Sequence, residues 1–371
     1  MSVYYFLIAY LVVFGAFAQY YNAHNSAHEL VSSDGQVWLK NHYSIFYFLI
    51  IAAFLFVGGF RYYVGTDYGA YYKEIVTKTD IIDSIKQFDE PIIKIIVYLS
   101  RKILDDGVFV IFVENALIVL MTFYAISKYD KNNIMLYSLL FLFTGVWEFS
   151  FNGVRQALAC AIIFFGISII EKQENTTIKL VIKITFLCFV AYLAHKSAIF
   201  MLPMLLISNR KLDYKQVFLL IICSASIPLF FESAYGVMEV NSSNTEAAAY
   251  INREINPIRV LVAIAPLVLI AFVKERKELF DEDRVVTNMA LFHSILTVTT
   301  MNSAYMHRIT QYSLCFMMVF IVNSMNKMSG RTRRTATVVT LILYFSFWLY
   351  GLLSSGEQVV FQWSFDHIGE F

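Results

Sequence analysis

The chain has 371 residues, of which 58% are hydrophobic and 17% aromatic, while only 15% are charged and the formal net charge is +1. A typical soluble domain is about a quarter charged and less than half apolar, so this composition excludes an ordinary soluble domain. The near-zero net charge also argues against a nucleic-acid partner, because such a partner selects a basic surface.

Apolar runs recur from one end of the chain to the other and give it a mean hydropathy of +0.60. Runs of about 18–20 apolar residues have the length that crosses a bilayer as a helix. About twelve such runs are present by this criterion, at residues 3–21, 43–60, 107–126, 133–150, 153–170, 178–194, 197–208, 215–232, 257–273, 285–302, 309–326 and 335–355. The sequence therefore predicts an all-α polytopic membrane protein, with residues 1–371 forming a single integral membrane domain.

The orientation of the predicted helices follows from the basic loops, since short loops rich in lysine and arginine remain in the cytoplasm. Such loops lie at residues 127–133, 209–215, 274–284 and 326–334. Alternation from these loops places both termini and the remaining connections outside the cytoplasm, namely 61–106, 151–155, 195–196, 233–256 and 303–308. The first run is interpreted as a retained span, because no basic segment precedes it as in a secretory signal.

The predicted outer face collects cationic and aromatic residues from separate parts of the chain. Arginine forks bind phosphate oxygens bidentately and stay charged when partly desolvated. Tyrosines stack on sugars and are stable at a lipid interface. The pattern therefore predicts a site for a lipid-linked diphosphate that carries sugars. Its candidate residues are Arg61, Asp67, Tyr68, Tyr71, Glu148, Asn152, Arg155, Gln156, His195, Lys196, Tyr305, Arg308 and Tyr312.

Several of these residues also have a purely structural interpretation. Asp67 precedes a stretch with helical spacing and could serve only as an N-cap. Arg61 and Arg308 lie at the ends of predicted spans, where an arginine can anchor a helix by reaching the lipid head groups. His195 falls in a break between two spans, where a packing role is equally open.

The stretch "FNGVRQALAC" (151–160) gives the strongest indication of function. It follows one apolar run and begins another, yet it contains Asn152, Arg155 and Gln156, with Glu148 just before it. An ionisable group near membrane depth is costly and by default marks a function. We therefore expect Arg155 to lie in a polar network and to bind an anion.

Two further segments are predicted to border the site. Residues 89–104 are too short and too charged to span a bilayer, and they predict an amphipathic helix along the outer interface. Residues 233–257 form a long polar connection, which is typical of lids and binding loops. In the short run 197–208, Pro203 interrupts the hydrogen bonding, and broken membrane helices tend to border cavities.

Four stretches together resemble one known family. "RYYVGTDYGAYY" (61–72), "FNGVRQALA" (151–159), "AHKSAIFMLP" (194–203) and a late "HRI" (307–309) are similar, in this order, to the EpsG-type branch of the Wzy polysaccharide polymerases. The resemblance extends over about residues 40–325, and the chain departs from it in a longer segment at 22–42. The residues at matching positions are Arg61, Asp67, Arg155, Gln156, His195 and Arg308.

The resemblance implies an O-antigen or exopolysaccharide polymerase in the bacterial cytoplasmic membrane, with its active site on the outer face and an architecture similar to the GT-C glycosyltransferases. Its substrate would be a glycan linked to undecaprenyl diphosphate, and a flippase and a chain-length regulator would be its protein partners. No cofactor is expected, because arginines can stabilise a leaving diphosphate without a metal. The sequence also shows no carboxylate cluster suited to Mg²⁺.

The sequence leaves the base and the reaction class open at two points. His195, Asp67 and Glu148 are all candidates to accept the proton of the attacking hydroxyl. A flippase for the same lipid-linked glycan would also need a cationic and aromatic cavity, although such transporters often show inverted repeats. A ligase that transfers finished polymer would share the chemistry of the polymerase.

Overall fold

The computed structural model describes residues 2–28, 45–65, 67–69, 72, 90–130, 132–170, 177–239, 253–274, 276–282, 284–354 and 361–365. Within these residues the regular secondary structure is helical apart from one pair of two-residue strands. The predicted all-α class is therefore confirmed. Three parts of the predicted site lie outside the described residues: Tyr71, residues 73–89 of the predicted outer loop 61–106, and residues 240–252 of the long polar connection.

The helices are labelled in chain order. In chain order they are α1 (Ser2–His28), α2 (Ile45–Gly59), α3 (Pro91–Ile103), α4 (Gly107–Tyr129), α5 (Ile134–Phe143), α6 (Val146–Asn152), α7 (Val154–Ile170), α8 (Thr177–Ala194), α9 (Met201–Ser208), α10 (Tyr214–Glu239), α11 (Pro257–Ile264), α12 (Arg276–Glu282), α13 (Arg284–Thr299), α14 (Ala304–His307), α15 (Gln311–Asn326) and α16 (Gly330–Ser354). Short 3₁₀ helices precede α9 at Lys196–Phe200, follow α11 at Ala265–Phe272 and precede α15 at Arg308–Thr310. The strands are β1 (Arg61–Tyr62) and β2 (Gln362–Trp363).

Each of the predicted apolar runs coincides with a helix or with a pair of consecutive helices. In the described part of the chain, α1, α4 and α16 contain spans that are long and apolar enough to cross a membrane, and α5 with α6 adds a span bent by 42°. Other apolar helices, including α2 and α7, are shorter. The structure is that of an all-α membrane protein, while the count of about twelve crossings remains a prediction.

The helix surfaces carry the apolar side chains that a bilayer requires. Phe6, Phe48, Phe186 and Phe230 are all more than half exposed, with relative accessibilities of 70%, 55%, 66% and 69%. Soluble monomers rarely expose large apolar patches, because water penalises them. Exposure of this kind along several helices is therefore consistent with contact to lipid.

Local sequence explains where several helices begin and bend. The Asp106 carboxylate accepts hydrogen bonds from the backbone N–H groups of Val108 at 2.7 Å and Phe109 at 3.1 Å, which caps α4. Gly145 has a φ of 77° and separates α5 from α6. This left-handed conformation is accessible to glycine at little cost. The bend brings the stretch at 151–155 to the end of α6 and the start of α7.

The described chain divides into two compact units, of which the first comprises residues 1–161 and 348–371. Its core is aromatic: the Trp147 ring lies 5.0 Å from the Phe54 ring and 4.8 Å from the Phe151 ring, measured between centroids. Such edge-to-face contacts stabilise a core beyond the burial of area alone. The Trp147 Nε1–H donates to the Asn115 side chain at 3.4 Å, so the indole is also fixed by a polar bond.

A small antiparallel sheet joins the chain after α2 to the C-terminal segment of the same unit. Arg61 pairs with Trp363 and Tyr62 pairs with Gln362. The Trp363 ring packs 5.5 Å from the Phe56 ring, so the C-terminal segment covers the end of α2 with aromatic surface. Consequently residues 61–62 and 362–363 lie side by side in this unit.

The second unit comprises residues 162–347 and has its own buried core. The Phe164 ring packs edge-on against the Phe316 ring, with 5.2 Å between centroids. The buried Asn288 side chain on α13 donates to the carbonyls of Ser208 at 2.6 Å and Arg210 at 2.8 Å. This amide therefore satisfies the backbone carbonyls that the C-terminal end of α9 leaves without helical partners.

Candidate active site

The stretches 61–65 and 151–153 pack directly on each other in the first unit. Gly65 has a φ of 107°, and a Cβ at this position would lie 2.7 Å from Asn152 Oδ1 and 2.9 Å from the Phe151 carbonyl oxygen. The Arg61 guanidinium lies over the Phe151 ring, 4.3 Å from its centroid. Two motifs that are separated along the chain are thus locked together by a glycine contact and a cation–π contact.

Arg61 is buried, with 4% of its surface exposed, so it does not anchor the chain by reaching the head groups. Its Nη1–H donates to the Gly58 carbonyl at the C-terminal end of α2, where a cation is favourable. Its Nε–H has no hydrogen-bond partner in the described part of the chain. Burial lowers the pKa of Arg61 to about 10, which still leaves a cation at neutral pH. Arg61 therefore holds a buried positive charge where the stretches 61–65 and 151–153 pack on each other.

Arg155 forms an ion pair with Glu90, with Nη1 and Oε2 separated by 2.9 Å. The Arg155 side chain is 36% exposed and that of Glu90 is 10% exposed, so the pair lies at the edge of the unit. Sequence reasoning missed Glu90, because it precedes Arg155 by 65 residues. Its local signal was weak: it was included only as part of the predicted interfacial helix 89–104.

Glu90 also has an unusual backbone conformation. Its φ of 50° and ψ of 54° lie in the left-handed region, directly before Pro91 at the start of α3. A non-glycine residue in this region costs on the order of 1–3 kcal/mol, and such residues are concentrated at functional sites. The prediction of a helix within 89–104 is confirmed by α3, although its position along the membrane interface remains a prediction.

The remaining polar residues near Arg155 have separate roles. Glu148 accepts a hydrogen bond from the Trp348 Nε1–H at 2.8 Å, so it faces the C-terminal helix of the unit. Asn152 lies against Gly65, and Gln156 is buried with 4% exposure. The ionic partner that the structure shows for Arg155 is Glu90, while the predicted polar network with Glu148, Asn152 and Gln156 remains a prediction.

A cluster of tyrosines follows Arg61. Tyr68 is 2% exposed, and its ring lies 5.2 Å from that of Tyr63 and 5.9 Å from that of Tyr72. Burial raises the pKa of Tyr68, and its hydroxyl has no hydrogen-bond partner among the described residues. Tyr63, which the sequence did not single out, is 54% exposed and presents an aromatic surface. Asp67 is half-buried beside this cluster.

The second unit contains a chain of hydrogen bonds that begins at His195. The His195 Nδ1 atom lies 2.8 Å from Ser197 Oγ, and the Ser197 backbone N–H donates to the same nitrogen at 3.3 Å. Ser197 Oγ lies 2.9 Å from the hydroxyl of Tyr312, which is fully buried. His195 therefore caps the 3₁₀ helix at Lys196–Phe200, and Tyr312 supports it from α15.

The other candidates of this unit lie at the surface or near it. Lys196 is exposed, while Tyr305 and Arg308 are half-buried. His307 is buried, and burial together with the charge of Arg259 lowers its pKa to about 3, so its ring is neutral. Among the described residues, no three histidine, cysteine or acidic side chains are grouped so as to hold a metal ion.

The apolar helices define the chain as an all-α integral membrane protein. It belongs to the EpsG family, whose family model matches residues 44–364. The matched region includes both packed motifs of the first unit and the His195 chain of the second. Membership of this family indicates a membrane polysaccharide polymerase of the glycosyltransferase type, in agreement with the resemblance of the motifs. No curated protein and no solved structure matches the chain significantly.

Proposed function

We propose that the protein polymerises undecaprenyl-diphosphate-linked repeat units at the outer face of the bacterial cytoplasmic membrane, to make an O-antigen or exopolysaccharide. The observation that carries this proposal is the EpsG match over residues 44–364, which includes both arginine-bearing motifs. About twelve crossings would place these motifs on the side opposite the basic loops. A GT-C-like architecture would follow from the same arrangement.

In the proposed reaction, a sugar hydroxyl of the incoming unit attacks the anomeric carbon that joins the growing chain to its carrier. A glycosidic C–O bond forms, and the bond between the anomeric carbon and the diphosphate oxygen breaks. The electron pair of that bond leaves with undecaprenyl diphosphate, while the hydroxyl proton passes to a base. Negative charge therefore develops on the leaving diphosphate, and groups that stabilise it there accelerate the reaction.

We assign the contact with the diphosphate to Arg155. Its ion pair with Glu90 uses Nη1, and 36% of the side chain is exposed, so the guanidinium can meet a substrate at the edge of the unit. A guanidinium presents five N–H donors in a planar fork, which allows one edge to bind a carboxylate and another a phosphate. Gln156 follows Arg155 directly on α7 and Asn152 ends α6 three residues earlier, and both would support Arg155 from these positions.

Arg61 would act on the same substrate through its charge. Arg61 is 4% exposed and its guanidinium lies over the Phe151 ring, so the buried charge contacts the stretch 151–160 that also contains Arg155. A fixed charge in a poorly solvated environment acts over longer distances than one in water. We therefore assign Arg61 a double role, in which it locks the motifs together and makes their surface electropositive.

Asp67 is the base that we favour for the acceptor hydroxyl. It is half-buried beside the tyrosine cluster, in the same connection as Arg61. Glu148 is a second candidate, and its carboxylate accepts the Trp348 Nε1–H at 2.8 Å. Tyr63, with 54% of its surface exposed, could stack on a sugar of the acceptor unit.

Deletion of the gene followed by gel analysis of the surface glycan tests the polymerase. We expect the ladder of long chains to collapse to a single repeat unit, because export and ligation continue without polymerisation. Purified protein should also extend lipid-linked repeat units in a test tube. Accumulation of repeat units inside the cell, with none at the surface, would instead identify a flippase.

A further inference from the structure

A short segment near the C-terminal end of the first unit, residues 361–365, pairs with the chain directly after α2. The Arg61 backbone lies opposite that of Trp363, and the Ser364 backbone N–H donates to the Phe60 carbonyl at 2.9 Å. A sheet of two short strands is only marginally stable by itself. Side-chain contacts must therefore contribute to holding this C-terminal segment in place.

Aromatic rings supply these contacts to α1 and to the end of α2. The Trp363 and Phe365 rings are stacked with 5.5 Å between centroids, and the Phe365 ring lies 5.2 Å from that of Phe60. The Phe361 ring packs edge-on against that of Tyr4 on α1, at 6.1 Å. Because aromatic pairs of this kind stabilise a structure beyond the burial of area, the C-terminal segment has a defined position against both helices.

The stretch that pairs with this segment has an unfavourable backbone conformation. Tyr63 has a φ of 50° and Gly65 a φ of 107°. The left-handed region costs glycine little, but a tyrosine remains there only where the surrounding structure determines its conformation. The pairing of Arg61 and Tyr62 with the C-terminal segment lies on one side of Tyr63, and the packing of Gly65 on the end of α6 lies on the other. The C-terminal segment is therefore one of the contacts that hold this stretch.

We propose that the C-terminal segment positions Arg61 for catalysis, by fixing the backbone from which the Arg61 guanidinium reaches the Phe151 ring. This proposal rests on the polymerase function, in which a correctly placed positive charge stabilises the leaving diphosphate. The guanidinium is buried 4.3 Å from the Phe151 centroid, so a shift of its backbone would change its contact with the stretch 151–160. The EpsG match ends at residue 364 and thus includes both strands. Trp363 and Ser364 are the positioning residues.

Two substitutions at Ser364 test the pairing. Ser364→Pro removes the N–H that donates to the Phe60 carbonyl, because proline has no backbone donor. Ser364→Ala keeps this N–H and removes a buried hydroxyl that has no hydrogen-bond partner among the described residues, so it is the matched control. Turnover of purified protein with lipid-linked repeat units is the measurement, with kcat and KM determined separately.

We expect Ser364→Pro to lower kcat about tenfold to a hundredfold with little change in KM, as for a catalytic group displaced by about 1 Å. Ser364→Ala should stay within about twofold of the wild type, because no hydrogen bond is lost. Normal turnover by Ser364→Pro overturns the proposal. An inactive wild type would instead contradict the polymerase function itself.

A second background separates positioning from stability. Arg61→Gln removes the charge that the segment positions, so Ser364→Pro should have no further effect on the residual rate of this variant. An equal loss in both backgrounds would show that the segment does not act through Arg61, and would overturn the proposal. If Ser364→Pro fails to accumulate in the membrane, Trp363→Ala takes its place, with Trp363→Phe as the control that keeps a ring against Phe365.

A disulfide across the two strands tests the pairing by rescue. Tyr62 and Gln362 lie opposite each other in the antiparallel pair. Cα atoms of such residues are about 4.5–5.5 Å apart, within the range of a disulfide. In protein without the four native cysteines, Tyr62→Cys with Gln362→Cys should therefore cross-link on oxidation. Oxidation should restore most of the kcat that Ser364→Pro loses, and reduction should remove it again. Complete cross-linking without recovery of kcat, or no cross-linking at all, would overturn the proposal.

Discussion

The substitution Arg155→Lys tests whether Arg155 binds the diphosphate or only holds the start of α3 in place through its ion pair with Glu90. The ion pair with Glu90 uses one N–H···O bond of 2.9 Å, and a lysine ammonium can form a single bond of this kind. Because the Arg155 side chain is 36% exposed, the pair contributes about 1 kcal/mol or less to stability. We therefore expect the lysine variant to fold, insert and accumulate normally.

The effect on activity should be much larger. Lysine keeps the charge but cannot bind two phosphate oxygens in parallel, and it is more strongly hydrated. Loss of one oriented donor where charge develops costs about 3 kcal/mol, or roughly a hundredfold in rate. The cell should then display glycan of a single repeat unit, and the purified variant should show a correspondingly lower kcat. Loss of the Glu90 carboxylate in Glu90→Gln should cost less, about fivefold, the equivalent of about 1 kcal/mol.

Arg101→Lys provides the matched control. Arg101 forms an ion pair with Asp105 at 2.6 Å at the C-terminal end of α3, so the same substitution is made in the same unit. We expect it to leave the ladder unchanged. A normal ladder for Arg155→Lys would refute the reasoning, since an ion pair with Glu90 would then suffice. The same conclusion would follow if Glu90→Gln and Arg155→Lys lowered the rate equally.

Three further predictions follow from the packed motifs, the chemistry and the orientation. Gly65→Ala should lower the amount of folded protein at a cost of about 1–3 kcal/mol, because φ is 107° and the new Cβ would meet Asn152, whereas Gly330→Ala, with no atom within 4 Å, should not. Polymerisation by the purified protein should continue in excess EDTA, and a requirement for added Mg²⁺ or Mn²⁺ would disprove catalysis by arginines alone. With the four native cysteines replaced, a cysteine at Thr66 should react with an impermeant thiol reagent in intact cells. A cysteine at Ser329 should react only after lysis. Its labelling in sealed cells would show that the predicted orientation is wrong.

Periodicity and charge predicted the elements of this fold well, because both signals are local. Every predicted apolar run contains helix, and the predicted interfacial segment contains α3. The boundaries were less accurate: α1 extends to His28 and α10 to Glu239, into segments predicted to be loops. Polar residues can continue a helix beyond the apolar run that a bilayer would require, and hydropathy does not record this.

The environment of Arg61 depends on a contact that the sequence does not indicate. An arginine at the end of an apolar run can be an interfacial anchor, which was the structural alternative for this candidate site residue, yet Arg61 is 4% exposed. Its backbone pairs with that of Trp363 through β1 and β2, and its guanidinium lies 4.3 Å from the centroid of the Phe151 ring. Residues 361–365 follow the last predicted span and carry no motif, so their pairing could not be inferred from local pattern.

Arg155 illustrates the difference between predicting a role and predicting its geometry. The cost of an ionisable group near the membrane indicated an anionic partner. The structure supplies Glu90 as that partner, 65 residues earlier in the chain, in a left-handed conformation that no propensity scale favours. Because the Glu90 carboxylate already binds Arg155, a diphosphate must either bind the guanidinium together with this carboxylate or replace it. The strength of the ion pair would then determine the affinity for the substrate. A lower KM in Glu90→Gln would show displacement, and a lower kcat with unchanged KM would show that Glu90 orients the guanidinium.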